Sequence, residues 1–96
     1  MIVETAFMTI TPGQELAFEE AIDTARAFVE VTPGCRHFAV RRGVERPEVY
    51  LVEIHWEQLS DHLQGFRESD RFGQWRALLS PYFAADPVVE HWADRQ

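Results

Sequence analysis

Apolar and polar positions along residues 1–10 place Ile2, Ala6, Met8 and Ile10 on one parity and Val3, Thr5, Phe7 and Thr9 on the other. β-formers on both parities predict a strand that is apolar on both faces. Thr11-Pro12-Gly13-Gln14 then offers an N-cap residue, a proline at the first helical position and a capping-box partner, so a helix is expected to begin there. Its apolar stripe is Phe18, Ala21, Ile22, Ala25, Phe28 and Val29, the spacing of one helix face. Thr32-Pro33-Gly34 ends that helix and turns the chain, because proline cannot continue the ladder and glycine tolerates positive φ. A second strand is expected from residue 35 to about 42, and residues 43–48, with Pro47, read as a hairpin connection. The clearest strand follows at Val49–Trp56, where Tyr50, Val52, Ile54 and Trp56 alternate with Val49, Leu51, Glu53 and His55.

From 58 to 66 the pattern becomes helical, weakened by Gly65, and Ser69-Asp70 marks a fresh N-cap for a short helix to about 79 with Phe72, Trp75 and Leu79 on one face. Pro81 and Asp86-Pro87 close that region, and residues 88–92 supply a last short strand. The order βαββαβ predicts one α+β domain over residues 1–96, of the ferredoxin-like kind with an antiparallel sheet. Right-handed crossovers put both helices on one sheet face. The other face is left bare, with Val3, Phe7 and half of the third strand exposed on it, and a patch of that size predicts a homodimer formed through the sheet faces.

Composition narrows the partners. A chain of 96 residues supports one core, and 46% hydrophobic residues with seven Phe, three Trp and two Tyr give enough apolar mass to fold without staples. The charge of −7 is spread among interspersed acidic and basic residues, which excludes a phosphate-binding stripe and so a nucleic-acid partner. No apolar run approaches 18 residues and no leader pattern opens the chain, so no membrane partner is expected and the location is read as cytoplasmic. Cys35 is the single cysteine, which excludes an internal disulfide; the reading of a small buried hydrophobe at a strand start stands beside that of a reactive thiol.

The strings Thr32-Pro33-Gly34-Cys35, Glu53-Ile54-His55-Trp56, Leu59-Ser60-Asp61-His62-Leu63 and Glu68-Ser69-Asp70-Arg71-Phe72, in that order and spacing, resemble the antibiotic biosynthesis monooxygenase family over nearly the whole chain. The resemblance implies a dimeric α+β barrel with a pocket in each subunit between sheet and helices. It also implies a choice of activities: cofactor-free oxygenation of polycyclic phenols and quinols, small quinol oxygenases, haem degradation, or no known activity. The haem-degrading pattern of a first-strand Asn, a Trp before the second helix and an axial His within it is met here by Phe7 or its neighbours, Phe66 and Arg76, which disfavours haem. A second His common in the family is replaced by Arg71.

Cofactor-free oxygenation needs an electron-rich aromatic, a base for its hydroxyl and a dry pocket. His62, where the family keeps a His, is the candidate catalytic base, against the plain reading of a partly exposed histidine paired with Asp61 or Glu57. Trp56, Phe66, Phe72, Trp75 and Tyr82 gather in the C-terminal half and would line a flat cleft for a small aromatic ligand, or would simply be core. Phe7 joins Trp56, Phe66, Phe72 and Trp75 as a substrate-binding candidate, with Arg76 to hold a carbonyl or phenolate or else to pair with Glu68. His37, His55 and His91 lie on three strands without metal-ligand spacing, so no metal is expected unless they converge in space. No nucleotide, hydrolase or paired-cysteine motif occurs, and no cofactor is expected. Two readings remain beside haem: a monooxygenase acting on a phenolic or quinol-like aromatic, and a non-catalytic binding or regulatory dimer.

Overall fold

In the computed structural model, which describes residues 1–95, the chain runs β1 (Ile2–Thr9), α1 (Glu15–Glu30), β2 (Cys35–Arg42), β3 (Val49–Trp56), a π-helical turn (Asp61–Phe66), α2 (Asp70–Leu79), a 3-10 turn (Ser80–Tyr82) and β4 (Val88–Ala93). The strands form one antiparallel sheet in the order β2-β3-β1-β4, the ferredoxin-like α+β arrangement. β1 is therefore central, and its register sets Glu4 opposite Ile54 on one side and His91 on the other.

Even-numbered positions of β1 and β3 face the helices. Ala6, Met8, Tyr50, Val52, Ile54 and Trp56 are buried against Phe18, Ile22, Ala25 and Val29 of α1 and Trp75 and Leu79 of α2. Each of the larger of these side chains gains roughly 1.5–3 kcal/mol from leaving water, which holds the helices on that face. The opposite face carries Phe7, Val88 and Trp92 at 37%, 57% and 53% exposure, with the Trp92 indole N–H donating to Thr5 Oγ1 at 2.8 Å. Among the described residues no helix is long and apolar enough to cross a membrane.

Three local features depart from the sequence reading. The first helix starts at Glu15 instead of within residues 11–14: Gln14 N–H donates to Thr11 O at 3.0 Å, closing a turn, and Gly13 sits at φ 88°, outside helical space. The Glu15 carboxylate accepts the Gly13 N–H at 2.7 Å, so the acidic side chain holds the turn and no side chain caps the helix. Residues 61–66 form a π-helical turn, with Arg67 N–H donating to His62 O at 2.9 Å, five residues back. Ser69 precedes α2 in extended conformation as expected of a cap, but its hydroxyl donates back to Phe66 O at 2.6 Å. Cys35 is half-buried at the start of β2, and burial pushes its thiol up, which makes it a poor nucleophile.

Candidate functional site

A cavity of about 590 Å³ opens between the sheet and α2. Met8, Ile54, Phe66, Phe72, Trp75 and Phe83 give it apolar and aromatic walls, and Glu4, His62, Arg67, Arg76 and Asp86 are its charged or titratable members. The apolar majority with few polar groups is the usual make-up of a small-molecule site.

Its floor is built from three elements. The π-helical turn aims His62 and Phe66 inward together, at 2% exposure each. β1 brings Glu4 to the same place on its core-facing parity, at 5% exposure, and β4 brings His91 alongside through its pairing with β1. His62 Nε2 lies 3.4 Å from Glu4 Oε1, and His62 Nδ1 lies 2.7 Å from His91 Nε2. The Trp56 indole N–H donates to Glu4 Oε1 at 2.9 Å, and the His62 imidazole stacks on the Trp56 ring at 5.6 Å between centroids and 13° between planes. The indole thereby fixes the carboxylate with its edge and the imidazole with its face.

Burial sets the charges. It pushes the Glu4 carboxyl up to about 7, against the smaller opposing pull of the Trp56 hydrogen bond and Arg67. It pulls His62 down to about 3, with Arg67 and His91 acting in the same direction. His91 is lowered as well, by burial and then by Arg67. Near neutral pH the imidazole of His62 is uncharged, and Glu4 is the group poised to take or give a proton. A neutral His62 can accept from His91 Nε2–H at Nδ1 while its Nε2 faces the Glu4 carboxylate at 3.4 Å, so the three groups run in a row from part-exposed His91 to the cavity.

His62, Phe66, Phe72, Trp75 and Arg76 meet around this cavity. Trp56 lies behind the lining, in contact with His62 and Glu4. Phe7 does not join them: it occupies the odd parity of β1 and faces the other side of the sheet. His62 is not paired with Asp61 or Glu57, since Asp61 accepts the Gln58 N–H at 2.9 Å and Glu57 binds Arg36. Arg76 makes no ion pair with Glu68; its guanidinium lies 5.9 Å from the Phe72 ring centroid. Among the described residues neither Arg67 nor Arg76 has a carboxylate within salt-bridge distance, which leaves two cationic side chains at the cavity free to meet a ligand.

Glu4, Arg67 and His91 are site members that sequence reasoning missed. Glu4 carried a signal, for it shares the parity of Ala6 and Met8, and a carboxylate on the core face of a strand is costly to bury without a use. His91 carried none until the register of β4 against β1 was known.

Residues 1–78 match the family model described as antibiotic biosynthesis monooxygenase. An uncharacterised Bacillus subtilis protein, YczJ, is 34% identical over 94 residues, covering 98% of this chain and 99% of the relative. A solved Bordetella bronchiseptica protein grouped with the antibiotic biosynthesis monooxygenases superposes with a TM-score of 0.94 at 34% identity, covering 99% of this chain and 97% of that one. SnoaB from Streptomyces nogalater, described as a cofactor-independent oxygenase, shares the fold with a TM-score of 0.84 at 16% identity, over 99% of this chain and 93% of that one.

Proposed function

The chain belongs to the antibiotic biosynthesis monooxygenase family, and we propose that it is a cofactor-independent monooxygenase oxidising a phenolic or quinol-like aromatic with O₂. The observation that carries the reading is the Glu4–His62 pair buried at the floor of an aromatic-walled cavity. In this reading Phe66, Phe72 and Trp75 hold the planar substrate. Its hydroxyl proton passes to Glu4, whose proton affinity near 7 suits a base working at neutral pH, and neutral His62, backed by His91, flanks the carboxylate. Arg76, with Arg67, offsets the charge of the phenolate. The anion then gives electrons to O₂; one oxygen atom enters the ring system and the other leaves as water, the substrate supplying all the electrons. The exposed sheet face bearing Phe7 and Trp92 pairs two copies into a dimer.

A second reading, a binding module with the same cavity, is favoured by one detail: Glu4 Oε1 is already approached by both Trp56 and His62, so the floor is satisfied without a substrate. Oxygen uptake separates the two. Purified protein given hydroquinones and anthrone-like phenols aerobically, without metal or flavin, is expected to consume O₂, and Glu4→Gln to lower kcat by roughly 10²-fold or more. Saturable binding of the same compounds with no O₂ uptake would select the binding module.

A further inference from the structure

Outside the cavity, three ligand-type side chains converge on the open face of the sheet. β2 and β3 pair with His37 opposite His55, and Glu53 precedes His55 by two residues, so all three leave the same face. The two imidazole rings lie 4.7 Å apart between centroids, tilted by 54°. His55 Nε2 is 2.8 Å from Glu53 Oε2, and one ligand atom from each of the three lies within 4.8 Å of the others.

We propose that His37, Glu53 and His55 form a binding site for a divalent transition metal of the zinc class, with water in the fourth position. Two imidazoles and one carboxylate suit zinc, nickel or copper and not calcium or magnesium, which call for oxygen donors in greater number. Tetrahedral zinc at about 2.0–2.1 Å from its donors sets them about 3.4 Å apart. The widest present gap therefore closes by about 1.4 Å, within reach of χ rotations on a fixed backbone. The ion would take the place of the proton now shared by His55 and Glu53. Arg41 already holds the other Glu53 oxygen, Oε1, at 3.3 Å, and so orients the carboxylate with Oε2 left for the ion.

The sequence spacing gave no hint of such a site, because the donors come from two strands and only their antiparallel register joins them. The site lies on the far side of the sheet from Glu4 and His62 and stands independently of the proposed oxygenation. Its effect would be to clasp edge strand β2 to β3 on the face open to a second copy.

The test uses full-length protein freed of metal by EDTA and then titrated with Co²⁺ at neutral pH, followed by equilibrium dialysis and visible absorption, with Zn²⁺ as competitor. One Co²⁺ per chain, displaced by Zn²⁺, is expected. Affinity should weaken about tenfold or more in His37→Ala, in His55→Ala and in the gentler Glu53→Gln, and stay unchanged in His91→Gln, whose imidazole is on the other face. These positions are exposed or half-exposed, so the variants should keep the wild-type circular dichroism. Absence of stoichiometric binding, or binding that persists in both His37→Ala and His55→Ala, would overturn the proposal.

Discussion

A carboxyl and an imidazole set side by side in a dry cavity titrate in opposite senses, and the stability of the fold should register both. Between its ordinary value of 4.5 and about 7, Glu4 keeps in the fold a proton that the unfolded chain has lost, so its contribution to stability falls as pH rises through that window. Between about 3 and its ordinary 6.5, His62 stays neutral in the fold while the unfolded chain protonates it, so its contribution rises with pH. From 4.5 to 6.5 the two slopes oppose each other, each worth at most about 1.4 kcal/mol per pH unit. Glu4→Gln removes one slope and unmasks the other. Relative to wild type, the variant is expected to gain stability with rising pH across that interval, by roughly 2–3 kcal/mol at most, and His62→Asn to lose it. Urea midpoints at half-unit pH steps check this, and parallel profiles for Glu4→Gln and wild type would contradict the assignment of the raised carboxyl to Glu4.

At the scale of elements, the π-helical turn decides where the histidine goes. His62 and Phe66 leave that turn with their rings 28° apart in plane, both aimed into the cavity. The turn is set against the end of β2 by Gly34, at φ 93°, where an added Cβ would overlap the Asp61 carboxylate that accepts Gln58 N–H. Gly34→Ala is therefore expected to cost about 1–3 kcal/mol of stability, read by thermal or urea denaturation, and to loosen ligand binding at the cavity as Asp61 is displaced. Unchanged stability and binding would detach the turn from that contact.

The strand alternation, the apolar stripe of α1 and the punctuation at Thr32-Pro33-Gly34 were legible in the sequence because burial enforces period and glycine marks positive φ. The start of α1 was not, because a left-handed Gly13 outweighs a cap-like string whose side chains never engage the helix. The cavity aromatics could be gathered from the sequence, but their partition could not: parity sends Phe7 to the far face, and packing sets Trp56 behind His62. Glu4, His62 and His91 are far apart in sequence, and only the sheet register together with an irregular turn makes them neighbours.

For the whole molecule, the face away from the helices carries the largest unspent driving force, with Phe7, Val88 and Trp92 exposed beside part-buried Val3 and Leu51. Light scattering is expected to give about twice the chain mass of 11.2 kDa, and Phe7→Lys to return the single-chain mass with the fold intact, because Phe7 takes no part in the helix-side core. A wild-type chain at the single-chain mass would mean this face is left to water.

β4 closes the sheet at its edge and contributes His91; it lies beyond residue 78, the last that the family model matches, although the Bordetella bronchiseptica structure covers 99% of the chain. An edge strand, held to the sheet on one side only, thus connects the buried Glu4–His62 pair to the outside.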